Sequence, residues 1–95
     1  MKRGIFLSMA FLLVLLLAQA AWGQNLQNYF EQGVKKYLSS DYRGALEAWV
    51  KGLALANRME NKDAISKFLG SIGNVYDNLG DYPKALTYFE QSLKP

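Results

Sequence analysis

The stretch Gly80-Asp81-Tyr82-Pro83-Lys84-Ala85-Leu86-Thr87-Tyr88-Phe89-Glu90-Gln91-Ser92-Leu93 decides the fold, because it has an echo forty residues earlier. There Ser40-Asp41-Tyr42-Arg43-Gly44-Ala45-Leu46-Glu47-Ala48-Trp49-Val50-Lys51-Gly52-Leu53 repeats its Asp, Tyr, Ala, Leu and final Leu, with Trp49 opposite Phe89 as an aromatic pair. Upstream, Gly33 coincides with Gly73. A fixed internal period marks an architecture in which one supersecondary unit is copied and stacked. The chain holds two copies of one unit, each with a segment before the Asp-Tyr pair and a segment after it.

Every segment has helical periodicity. In the first copy Leu26, Tyr29, Phe30, Val34, Tyr37 and Leu38 recur at three and four, followed by Ala45, Leu46, Trp49, Val50 and Leu53. In the second, Ile65, Phe68, Leu69, Ile72, Val75, Tyr76 and Leu79 mark a long helix, followed by Ala85, Leu86, Phe89 and Leu93. This spacing gathers apolar residues on one helical stripe and is wrong for strands. Asp41 and Asp81 are placed as N-caps, whose carboxylates accept free amide hydrogens of the next turn. Pro83 falls in the first turn of its helix, where its missing N–H costs nothing, and Gly80 suits a left-handed turn. The expected fold is all-α: two antiparallel helix–turn–helix hairpins forming a short α-solenoid, with helices near 25–39, 42–57, 61–79 and 82–93. Trp49, Phe68, Phe89 and the tyrosines at helical spacing are expected to pack, and Gly33 and Gly73 to serve close helix contact. Lys35-Lys36 reads as a solvated pair.

Leu69-Gly70-Ser71-Ile72-Gly73-Asn74-Val75-Tyr76, continued by Leu79 to Leu93, closely resembles the tetratricopeptide repeat. The first unit matches through Tyr29, Gly33, Asp41, Tyr42, Ala45, Leu46, Trp49 and Leu53. It departs at Gln32, Lys36 and Ser40, where Leu, Tyr and Gly are usual. The usual repeat is about 34 residues. The longer spacing here is similar to a subclass extended between the hairpins, in this chain through residues 55–64. The repeat-bearing domain is thus expected over 24–95, with repeat one about 26–57 and repeat two about 61–95.

The resemblance implies a scaffold that binds a protein or peptide, with the first helix of each unit lining a concave groove. Carried over by position, the groove-facing residues are Gln27, Phe30, Val34, Tyr37 and Leu38, then Lys67, Gly70, Asn74, Asp77 and Asn78. The candidates for contact with a bound peptide are Tyr37, Lys67, Asn74, Asp77 and Asn78. Asn74 stands where family members often use an asparagine to hold a peptide backbone, since an amide donates and accepts at once. Asn78 lies one turn on, on the same face. Lys67 would pair with an acidic side chain or terminus.

The N-terminus is a separate element. Lys2-Arg3 precede an apolar core at residues 5–18, and small residues follow it. These are the three parts of a secretory signal peptide, expected over 1–23. Ala18-Gln19-Ala20 provides one cut, after Ala20, and Ala21-Trp22-Gly23 another, after Gly23; both stand. The rival reading is an uncleaved anchor, since a spanning helix needs roughly 20 apolar residues. Export to the periplasm or medium follows, with membrane contact only transient through the signal.

Composition narrows function further. The chain has no histidine and no cysteine, which excludes disulfides, thiolate chemistry, Cys/His zinc sites and imidazole relays. Removing Lys2 and Arg3 from the 11 basic residues leaves nine against 8 acidic ones. So even a balance gives no electrostatic case for nucleic acid. The acids are scattered, so no catalysis and no cofactor or metal are expected. The last residues, Lys94-Pro95, stand where a third unit would begin, and a solenoid unit does not bury its apolar face alone. Two further expectations follow: self-association through uncapped repeat ends, or a role as the N-terminal recognition arm of a longer array joined to a catalytic or signalling domain such as a caspase-like peptidase or kinase.

Overall fold

A computed structural model describes residues 23–94; the expected signal segment, up to residue 22, and Pro95 lie outside the described residues. Four helices follow one another: α1 over residues 23–38, α2 Tyr42–Arg58, α3 Lys62–Asn78 and α4 Tyr82–Ser92. No strand occurs among the described residues. From the C-terminal end of α1 onward, each boundary lies within one residue of the one read from periodicity. No helix of the described residues is long and apolar enough to cross a membrane.

The three turns are copies of one another. In each, a residue with positive φ follows the helix: Ser40 at 64°, Glu60 at 52° and Gly80 at 82°. Its N–H bonds back to Tyr37, Asn57 or Asp77, and the next N–H reaches the carbonyl of Lys36, Ala56 or Tyr76. This paired pattern satisfies carbonyls that a helix end leaves without partners. The following residue then caps the next helix. The Asp41 carboxylate accepts the Gly44 N–H at 2.9 Å, Asn61 accepts from Ala64 at 3.1 Å, and Asp81 from Lys84 at 3.2 Å. The turn therefore recurs every twenty residues, half the period visible in the sequence. Asn61 is the cap that the sequence reading did not single out.

Side-chain contacts fix how the helices run. Tyr37 meets Tyr42, and Phe30 meets Trp49, so α1 and α2 are antiparallel. Gly52 faces Phe68 across α2 and α3, and Gly73 faces Phe89 across α3 and α4, again antiparallel. Between α1 and α3 the pairs are Phe30–Phe68, Phe30–Lys67 and Tyr37–Asn78. Their separations cluster around the repeat period, so like helices lie parallel and in register, as stacked copies require.

The core runs through these contacts. Leu26, Ala45, Trp49, Ala56, Phe68, Ile72 and Val75 are buried together, and no polar or charged residue is buried among the described residues. Each large apolar chain removed from water contributes about 1.5–3 kcal/mol. Trp49 also has a polar atom to satisfy, and its Nε1–H donates to the Phe30 carbonyl at 3.1 Å. The indole reaches that carbonyl only because Gly33 has no side chain; a Cβ there would overlap the ring. Gly73 does the same for Phe89, where a Cβ would come within 2.7 Å.

Of the residues on the expected apolar stripes, Leu38, Val50, Leu79, Leu86 and Leu93 are exposed, and Tyr82 is exposed beside them in sequence. Tyr82 is 66% exposed and Leu86 58%. Their counterparts Tyr42 and Leu46 are half-buried against the core. Tyr42 has Tyr37 to rest on, whereas the position equivalent to Tyr37 in the second copy is Asp77, which has no ring to offer.

Candidate functional site

The side-by-side faces of α1 and α3 carry the residues expected to line a groove. At the C-terminal end of the two helices, the Asn78 side-chain amide donates to the Tyr37 hydroxyl and also to the Asn74 carbonyl at 2.9 Å. Tyr37 is in turn held by aromatic contacts, with ring centroids 5.5 Å from Tyr42 and 5.8 Å from Trp49. At the opposite end the Lys67 ammonium lies 3.9 Å above the Phe30 ring. A cation over an aromatic face is attracted by the ring quadrupole. A hollow of about 220 Å³ opens beside this pair, lined by Leu26, Gln27, Phe30, Asn61, Ala64 and Lys67 among others.

Lys67, Gly70, Asn74 and Asn78 recur at three or four residues and so share one face of α3. Tyr37 and Asn78 are thus in direct contact, with Asn74 one turn behind. Asn74 is exposed, and its side-chain amide forms no hydrogen bond among the described residues. Asp77 is exposed and likewise forms no side-chain hydrogen bond or ion pair among them. Of the wider groove set, Phe30 and Val34 are half-buried against the core, and Leu38 is exposed. Gln27 is engaged within its own helix, donating to Glu31 at 3.1 Å.

Gly70 is the residue that packing does not account for. A Cβ there would meet nothing within 4 Å, in contrast to Gly33, Gly52 and Gly73. Glycine inside a helix costs roughly 0.5–1 kcal/mol relative to alanine. At Gly70 no close contact offsets that cost, and the bare backbone faces the same side as Asn74.

A larger hollow of about 540 Å³ lies elsewhere, between α1 and α2. Lys35, Lys36, Arg43 and Lys51 gather there with Asp41 and Glu47, a grouping that the reading of Lys35-Lys36 as a solvated pair did not reveal. Lys36 pairs with Asp41 at 3.7 Å and Lys51 with Glu47 at 3.5 Å, all with exposed side chains. Half of its cations are already paired, and surface charges of this kind are heavily screened. Size alone does not make it the better site. No three His, Cys, Asp or Glu side chains among the described residues converge to hold a metal.

No protein-family model, curated protein or solved structure matches the chain significantly.

Proposed function

We propose that this chain is a tetratricopeptide-type repeat protein, exported behind a cleaved leader, that binds an extended peptide or protein segment along the α1–α3 face without catalysing a reaction. The observation that supports it is the pairing of Gly70 with Asn74. A helix-interior glycine without a packing reason leaves backbone open beside an amide that has no hydrogen-bond partner among the described residues. An extended peptide has unpaired backbone donors and acceptors along its length, and the Asn74 amide offers one of each. Tyr37 and Asn78 close one end of the face, and Lys67 supplies a positive charge at the other.

The test is selection of binders from a random-sequence peptide library on the folded chain, followed by amide shift mapping. Binders should perturb α1 and α3, and Asn74→Ala should weaken them several-fold while leaving the helical circular dichroism intact. Perturbations confined to the outer faces of α2 and α4, or an unchanged affinity for Asn74→Ala, would remove this reading.

A further inference from the structure

The near-even charge balance of the chain hides an uneven distribution. The hollow of about 540 Å³ between α1 and α2 is continued along the same crease by a second, of about 300 Å³, at Asn25, Tyr29, Leu55 and Arg58. Lys51 lines both. On α1, Asn25, Tyr29, Gln32 and Lys36 fall on one stripe, and on α2 Gly44, Ala48, Lys51, Leu55 and Arg58 do the same. The two hollows therefore form one trough, and no residue of α3 or α4 lines it. Of the nine basic residues after Lys2 and Arg3, five line the trough, namely Lys35, Lys36, Arg43, Lys51 and Arg58. Only two of the 8 acidic residues join them, Asp41 and Glu47. Elsewhere after Arg3 the acids outnumber the bases, six to four.

The fold does not demand this arrangement. The matching crease at α4 has Pro83, Lys84 and Gln91 where α2 has Arg43, Gly44 and Lys51, and its one cation lies 5.0 Å from the Tyr76 ring centre. Nor is the trough an apolar face left uncovered. On its α1 side Asn25, Gln32 and Lys35 are exposed, where α3 carries Ile65, Ile72 and Val75 against the core. Within the trough Lys36 pairs with Asp41 at 3.7 Å and Lys51 with Glu47 at 3.5 Å. Lys35, Arg43 and Arg58 have no ion-pair partner among the described residues. The unpaired cations thus stand at the two ends, Lys35 with Arg43 at one and Arg58 at the other. Between them lies a neutralised stretch flanked by the half-buried Tyr29 and Leu55. From Arg43 to Arg58 the helix rises roughly 22 Å, a length that about seven residues of extended chain span.

We infer that this trough binds an extended acidic segment of a partner protein, with carboxylates about six residues apart and uncharged side chains between them. The pattern of charge selects this partner. A guanidinium meets a carboxylate through two parallel hydrogen bonds, and separate carboxylates reach the unpaired cations while leaving Asp41 and Glu47 in their own pairs. A nucleic acid strand or an anionic bilayer carries continuous negative charge and would press it onto those two acids. The chain's own segments do not supply the match. Residues 1–22 contain no acidic residue. Repeats propagate by contact between neighbours, so chain continuing from α4 adds to the α3–α4 end, away from the trough.

The probe is the peptide acetyl-Asp-Glu-Ala-Leu-Gly-Ala-Glu-Asp-amide, titrated against the full chain and followed by amide shifts. A second peptide of the same composition gathers the four acids at its centre. The first should shift amides of α1 and α2 along the trough, bind about two- to fivefold more tightly than the second, and weaken as salt is raised. Arg43→Gln and Arg58→Gln should each weaken it about two- to fivefold, the range of one exposed ion pair, with helical circular dichroism intact. Lys84→Gln, which removes the same charge from the crease of the second copy, should leave it unchanged. Absence of binding, equal binding of the two peptides, an equal loss from Lys84→Gln, or shifts confined to the α1–α3 face overturns the inference. Tighter binding of a single-stranded oligonucleotide of equal charge, or of anionic vesicles, does so too. So does a dimer of the chain alone that Arg43→Gln dissociates, because acids of a second copy would then fill the trough.

Discussion

The hydroxyl of Tyr37 accepts a hydrogen bond from the side-chain amide of Asn78, joining the C-terminal end of α1 to that of α3 across the repeat. The bond lies on an exposed face, so its contribution is modest, at about 0.5–1 kcal/mol. In a double-mutant cycle, Tyr37→Phe and Asn78→Ala should each lower stability by that order and should couple. Strictly additive effects in urea unfolding would show that the bond is not held in solution.

Gly33 and Gly73 occupy matching positions but tolerate a methyl differently. At Gly33 the added Cβ overlaps the buried indole of Trp49, which its hydrogen bond to Phe30 also holds in place. At Gly73 it meets Phe89, a half-exposed ring able to shift. Overpacking costs about 1–3 kcal/mol, whereas replacing glycine inside a helix returns up to about 1 kcal/mol. Gly33→Ala should therefore lower thermal stability by about 1–2 kcal/mol and Gly73→Ala should be near neutral. The reverse order in a melting comparison would contradict the packing described.

The turns offer an internal comparison. Ser40 and Glu60 adopt the left-handed conformation that Gly80 adopts without steric cost. A side chain there costs roughly 1–2 kcal/mol, and glycine returns part of the gain through a freer unfolded chain. Ser40→Gly and Glu60→Gly should each stabilise by about 0.5–1 kcal/mol, and Gly80→Ala should destabilise by a similar amount. Chemical denaturation of the three variants checks the sign of each.

Gly70→Ala separates packing from binding. With open space around the new methyl, the variant should be more stable by about 0.5–1 kcal/mol. The same methyl narrows the approach to Asn74, so affinity for a groove-selected peptide should fall. Higher stability with undiminished binding would exclude Gly70 from the contact surface.

Processing is checked at the other end of the chain. Protein recovered from the exported fraction should begin at Ala21 or Gln24 on N-terminal sequencing. An intact Met1 terminus in the membrane fraction would establish an anchor instead.

Much of the architecture was legible because it rests on short-range rules. The spacing of Phe68, Ile72 and Val75 announces a helix, and Asp41 and Asp81 announce where helices begin. Asn61 was harder to find, since Glu60-Asn61-Lys62 shares little with Ser40-Asp41-Tyr42 beyond a side-chain oxygen able to cap. The groove candidates were legible only through the family resemblance. Nothing in the local sequence says that Asn78 meets Tyr37 or that Lys67 lies over Phe30.

The sequence by itself determined four amphipathic helices, the caps at Asp41 and Asp81 and a two-fold internal repeat, because helix formation and capping depend on residues within a few positions of one another. Only the tertiary structure decided which apolar residues are covered. Leu46 and Leu86 occupy equivalent positions in equivalent helices, and one packs against the core while the other faces solvent. Burial depends on the next element in space, and a residue's own pattern carries no record of whether that neighbour is there.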